Sequence, residues 1–337
     1  MRIRWDSPNL GAPFSVICTI RPFCLLSSHQ TDKLMLIPMG FLQADSASPV
    51  SFHADKLLCP GGFVNSRSTY RRRLFATATA FLAITAMAAA PVGAAPPSTP
   101  TVVLVHGAFA DSSSWVKVVE DLSAQGIPVR TFDNPLRSVS ADAGALTAFL
   151  ASIDGPIVLV GHSYGGSVIS NVHDPDVTAN VFVSAFAPAE GEILQLLLNP
   201  FVYPGSLLLP PAVLVTPVVD PTSPVGIGID GFIPEVFFRE VFAQDVTPAV
   251  AADMYKHQKT AALQANLEPS GPPSWTQVPS WYLVSTQDRV IPPALQRMMA
   301  GRAAPGRTTE VDSSHASPVS RPDRVAALVR DAIDGTS

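Results

Sequence analysis

The sequence predicts an α/β protein, a mostly parallel sheet with helices on both faces and a proline-rich insertion as a cap. Two patterns carry that expectation. Short continuous runs of β-branched and aliphatic residues, such as Thr101–Val105 (TVVLV), have the composition of strands buried on both faces. Segments with apolar residues at helical spacing lie between them, and strands alternating with helices build parallel sheets. At 337 residues and 47% hydrophobic content, the chain is ample for a large core.

Each element follows in turn. After the Pro-rich junction APPSTP, TVVLV forms the first strand and ends in His-Gly. Ser112–Ser114 offer N-cap hydroxyls to a helix carrying Trp115, Val118, Val119 and Leu122 at i, i+3, i+4, i+7, and Gly126 closes it. Val129–Phe132 begins the second strand, Leu146, Phe149 and Leu150 mark a helix, and PIVLV (156–160) is the third strand. Gly165–Val172 continues as a helix, and Val181–Phe186 (VFVSAF) is the fourth strand. Trp281–Ser285 (WYLVS) resumes the alternation, followed by a helix through Leu295, Met298 and Met299. Thr308–Val311 is the last strand, and Val325, Leu328, Val329 and Ile333 line a final amphipathic helix.

Residues 188–279 interrupt this order. Thirteen prolines between Pro200 and Pro279 forbid long regular helices over much of the stretch, although Phe237 to Leu267 looks helical. An apolar, proline-broken insertion between two sheet strands reads as a cap over a binding site.

The N-terminal part has a different character. Residues 1–95 hold nine Lys/Arg against four Asp/Glu, whereas residues 96–337 hold 13 against 23. An acidic globular part without a basic run excludes nucleic acid and anionic membranes as expected partners. Arg71–Arg73, the uncharged stretch from Leu74 to Ala90, and Val92 and Ala94 at −3 and −1 before Ala95 make a three-part export signal. Arg72-Arg73-Leu74-Phe75 suits a twin-arginine signal as well as a Sec signal. The apolar stretch is too short and mild for a stable membrane span. The expected organisation is therefore a non-structural leader over 1–66, from a start-site miscall with translation beginning near Val64. A signal peptide follows over 67–95, and an exported domain over 96–337. All three cysteines precede that domain, which excludes disulfides, thiolate metal sites and a thiol nucleophile within it.

The chemistry is carried by Gly161-His162-Ser163-Tyr164-Gly165, a G-x-S-x-G pattern directly after a strand and opening a helix. A chain that turns so sharply needs small flanking residues, and the turn lifts the serine hydroxyl clear of the sheet's C-terminal edge. A hydroxyl is a poor nucleophile without a base. Of the five histidines after residue 95, His315 is the choice, just beyond strand TTEV and on that same rim. His162 adjoins the serine and points away from it, His106 suits a structural hydrogen bond, and His173 and His257 suit solvated or packed positions. Asp288, following strand WYLVS, is the candidate that orients the imidazole, with Glu190 and Asp312 as rivals. The order Ser163, Asp288, His315 is the one this arrangement requires. Backbone N–H groups of Tyr164 and Ala108 are the candidate oxyanion donors, with Gly107 allowing close approach.

These motifs, LVHGAFADSSSW, GHSYGG, STQDRVIPP and SSHASPVSRPDRVAALV, together resemble the α/β-hydrolase superfamily. The branch they look like is a bacterial esterase-like one related to plant methyl-ester esterases and hydroxynitrile lyases. The resemblance covers the domain from about Thr101 onward except the cap. It implies a Ser163–His315–Asp288 triad, an acyl-enzyme, and no metal or cofactor. The lyases typically carry threonine and lysine where this chain has Gly107 and Ala316, so no cation stands beside the base. The expected function is an exported serine hydrolase acting on small-molecule carboxylic esters. The competing readings are a cofactor-free perhydrolase or lyase at the same serine and a non-catalytic ligand-binding protein.

Overall fold

The computed structural model describes residues 99–221 and 223–336, together with the backbone of four strands nearer the N-terminus. The chain divides into two compact units, Met1–Ala86 and Met87–Ser337. In the first unit β1 (Arg2–Trp5), β2 (Phe14–Cys18), β3 (Phe23–Ser28) and β4 (Leu34–Pro38) form an antiparallel sheet in chain order. The sequence reading assigns no element there, because each run is short and is broken from the next by Pro, Gly or polar residues. The export-signal segment 67–95 lies outside the described residues.

The second unit is built on β5 (Thr101–Val105), β6 (Val129–Phe132), β7 (Ile157–His162), β8 (Val177–Val183), β12 (Ser280–Ser285) and β13 (Thr308–Val311). They form one sheet in the order β13-β12-β8-β7-β5-β6, and every neighbouring pair is parallel. Side chains alternate between two cores, as the pleat requires. Val103, Val105, Ile157 and Leu159 face one core, and Val102, Leu104, Val158 and Val160 the other. Against the second lie Val118 and Leu122 of α1 (Val116–Ser123) and Val325, Leu328 and Val329 of α9 (Pro322–Asp334). The first is covered by α2 (Val139–Leu150), α3 (Tyr164–Ser170), α8 (Pro293–Ala303) and the cap.

Strand order reverses around β5, with β6 on one side and β7 on the other. A crevice therefore opens at the C-terminal ends of β5 and β7, where open α/β sheets bind ligands. The turn after β5 and the turn after β7 both feed that crevice.

Three boundaries differ from expectation. Trp115 belongs to a single 3₁₀ turn, Ser112–Trp115, capped by the Asp111 carboxylate, which accepts from the Ser113 N–H, rather than to a serine-capped helix. The fourth strand starts at Val177 and stops at Val183, because Ser184 turns away with φ 46°. The polar Thr178 and Asn180 obscured its start, yet Asn180 is fully buried. In the cap, α5 (Glu235–Phe242), α6 (Pro248–Lys256) and α7 (Leu263–Leu267) are separate short helices. They are accompanied by α4 (Leu194–Leu197) and an antiparallel sheet of β9 (Leu214–Val219), β10 (Ile227–Phe232) and β11 (Ala261–Ala262) that the prolines had concealed.

Candidate active site

All six residues of β7 are buried, and the chain then reverses into α3 through Ser163 at φ 53°, ψ −123°. That conformation costs a serine about 1–3 kcal/mol and persists only where the surroundings enforce it. Here the enforcement is visible. The Ser163 carbonyl accepts from the N–H groups of Gly166 and Phe186, each at 3.0 Å, and its N–H donates to Val183 at 3.3 Å. The glycines around it are obligatory: a methyl on Gly161 would stand 2.6 Å from the Gly165 carbonyl oxygen, and one on Gly165 2.5 Å from that of Val105.

The turn after β5 packs directly on this elbow. A Cβ on Gly107 would lie 2.6 Å from Ser163 Cβ, 2.8 Å from the His162 carbonyl oxygen and 3.1 Å from Ser163 Oγ. The N–H groups of Ala108 and Tyr164 donate to no described acceptor, and Tyr164 is the first residue of α3, where helix N–H groups point outward. His106 braces the turn. Its Nδ1–H donates to the Gly107 carbonyl at 2.9 Å, while Nε2 accepts from the Asn134 N–H at 3.0 Å. Burial holds this imidazole below its ordinary pKa, in keeping with an unprotonated Nε2. The nearby Asp133 carboxylate is engaged by Lys259 Nζ at 2.7 Å.

Asp288 and His315 meet on the same rim. His315 Nδ1 donates to Asp288 Oδ2 at 2.7 Å, with both side chains fully buried. The rest of the carboxylate is occupied: Oδ1 accepts from the N–H groups of Val290 at 2.7 Å and Ile291 at 2.9 Å, and Oδ2 from Gln296 Nε2 at 2.8 Å. The rivals Glu190 and Asp312 are exposed. Gln296 was not legible as a site residue. It lies one turn into α8, a helix that the sequence marks by Leu295, Met298 and Met299, and only the fold turns its amide toward Asp288.

The cap reaches the loop that carries His315. Ser314 N–H donates to Asp245 Oδ2 at 2.9 Å, Ala316 N–H to the Phe242 carbonyl at 3.1 Å, and the Phe242 ring meets the imidazole at 4.9 Å in a T-shaped contact. His315 Nε2 is buried with no hydrogen-bond partner among the described residues, Ser163 Oγ included. His162 turns from Ser163 toward the backbone of His315, His173 Nε2 meets the Pro272 carbonyl, and His257 Nδ1 pairs with Asp111 at 3.2 Å.

The crevice is closed over. Ser163 is 4% exposed and His315 is not exposed at all. A cavity of about 250 Å³ adjoins the first turn, between Phe109 and Ala110 on one side and Val250 and Met254 of α6 on the other. Neither that cavity nor the larger ones near Arg137 and β10 is lined by Ser163, Asp288 or His315. Among the described residues no group of His, Cys, Asp or Glu is arranged to hold a metal, and no helix is long and apolar enough to cross a membrane.

The model of the alpha/beta hydrolase family matches residues 102–328. A pyrethroid hydrolase of Sphingobium wenxiniae is 28% identical over 257 residues, covering 69% of this chain and 87% of that protein. The crystal structure of a pyrethroid hydrolase from Sphingobium faniae superposes with a TM-score of 0.55 at 26% identity, covering 70% of this chain and 98% of that one. An Arabidopsis methylesterase shares the fold, with a TM-score of 0.55 at 18% identity over 70% and 99% of the two chains.

Proposed function

The chain belongs to the alpha/beta hydrolase family, and on that premise we propose that it hydrolyses carboxylic esters through an acyl-enzyme on Ser163. One observation carries the reading. A serine held at φ 53° between β7 and α3 packs against the Gly107 turn, and its neighbour His162 bonds to the backbone of His315, the histidine paired with buried Asp288.

In this mechanism Ser163 Oγ attacks the acyl carbon as its proton passes to His315 Nε2. Asp288 stabilises the imidazolium through Nδ1, and the N–H groups of Ala108 and Tyr164 take up the developing oxyanion, where one donor is worth about 3–4 kcal/mol. His315 then protonates the departing alkoxide. Water, deprotonated by the same nitrogen, attacks the acyl-enzyme and releases the acid with Ser163 restored.

The apolar residues of the cap that pack towards the site, Phe238 and Phe242 among them, favour an apolar acyl or alcohol group, and relatives named for pyrethroid hydrolysis support a bulky apolar ester. The export pattern at 71–95 supports an enzyme acting outside the cytoplasm. Rapid mixing with a nitrophenyl ester tests the mechanism. An initial burst of nitrophenolate, one per chain and abolished in Ser163→Ala, is the expected result. Undiminished turnover by Ser163→Ala would refute it.

A further inference from the structure

The second residue of GHSYG is a histidine that the mechanism above leaves without a task. His162 ends β7, is fully buried among Trp115, Phe242 and His315, and is the immediate neighbour of Ser163. Its Nε2 stands 2.8 Å from the carbonyl oxygen of His315, and the two rings are 4.7 Å apart. A carbonyl oxygen only accepts, so Nε2 carries the proton. The other nitrogen, Nδ1, has no partner among the described residues.

From this geometry we propose that His162 is a positioning residue for His315, its neutral Nε2–H fixing the backbone of the base relative to the elbow that carries the nucleophile. The inference rests on the ester-hydrolase reading and deepens it. Three arguments converge. The bond spans 153 residues of sequence and is a direct tie between the strand that leads into the nucleophile and the loop that carries the base. It is the ring's single hydrogen bond, hence the polarity of this buried side chain has no other use in the described structure. Burial and the adjacent His315 imidazole also keep His162 well below the ordinary histidine pKa, so it does not compete for the proton that His315 receives.

The side chain acts through His315 and touches no substrate. Its loss should therefore fall on kcat and spare KM. In the full chain, His162→Phe keeps the ring and its packing but removes the donor, and kcat for a nitrophenyl ester is expected to fall about ten-fold or more, the weight of one buried hydrogen bond. His162→Gln keeps a donor near the same reach and is expected to recover most of that loss. Equal impairment of both variants, an unchanged kcat in His162→Phe, or a loss confined to KM would overturn the proposal. Imidazole ¹⁵N NMR of the wild-type protein gives a readout independent of substrate and of variant folding. A His162 proton on Nε2, with no ionisation between about pH 5 and 8, is the expected signature, and a proton on Nδ1 would overturn the assignment. Because that spectrum needs no ester, failure of this inference is distinguishable from failure of ester hydrolysis.

Discussion

Asp288 and His315 lie 27 residues apart in sequence, and the bond from His315 Nδ1 to Asp288 Oδ2 is 2.7 Å with neither side chain exposed. Two backbone N–H groups and Gln296 hold the same carboxylate, so the imidazole meets an acceptor that cannot rotate away. Asp288→Asn preserves the shape but places an amide against Nδ1, disfavouring the tautomer that leaves Nε2 free. By analogy with other serine–histidine–aspartate sites, kcat should drop on the order of 10⁴-fold with little change in KM. Steady-state kinetics on a nitrophenyl ester measures both.

Gln296 is a stability residue as well as a support. It donates to Asp288 Oδ2 and to the Ile291 carbonyl, each at 2.8 Å, and accepts from the Ser285 N–H at 3.0 Å, all without solvent. Gln296→Leu leaves the Ser285 N–H and the Ile291 carbonyl without this partner and removes one of the two donors to Asp288 Oδ2. A loss of about 2–4 kcal/mol in urea unfolding is expected, together with a lower kcat.

Gly107 sets how near the first turn approaches the nucleophile. Gly107→Ala would drive a methyl to 2.6 Å from Ser163 Cβ, so the turn must retreat and carry the Ala108 N–H with it. The expected fall in kcat is about 10²–10³-fold, that of one lost oxyanion donor, with folding retained. Circular dichroism beside kinetics separates the two effects.

Much of this was legible in the residues themselves. Parallel strands such as TVVLV announce their burial by composition, and a serine between glycines at a strand end announces a strained turn. Ser163, Asp288 and His315 stand out as candidates because each follows a strand on one rim. What was hidden depends on the fold. Gln296 and His162 acquire meaning through partners 8 and 153 residues away, a distance no local pattern encodes. The β9–β10 hairpin escaped because its prolines and glycines read as breakers, although Pro217 is tolerated in β9 at the edge of that sheet.

Acid should destabilise the domain through its buried histidines. Burial holds His106 below, and His162 well below, their ordinary pKa. Between the folded and unfolded values the unfolded chain binds more protons. The stabilisation is therefore complete above about pH 6.5 and is lost as pH falls, at no more than about 1.4 kcal/mol per pH unit for each histidine. Urea unfolding from pH 7.5 down to 5 should show this slope, and His106→Gln should flatten it by one histidine's share.

The central claim, that Ser163 is an activated nucleophile, is tested most directly by fluorophosphonate labelling of the full-length protein followed by mapping of the modified residue. A single adduct on Ser163 is expected, absent in Ser163→Ala and formed far more slowly in His315→Ala. A folded protein that takes no label, or takes it at another residue, would contradict it.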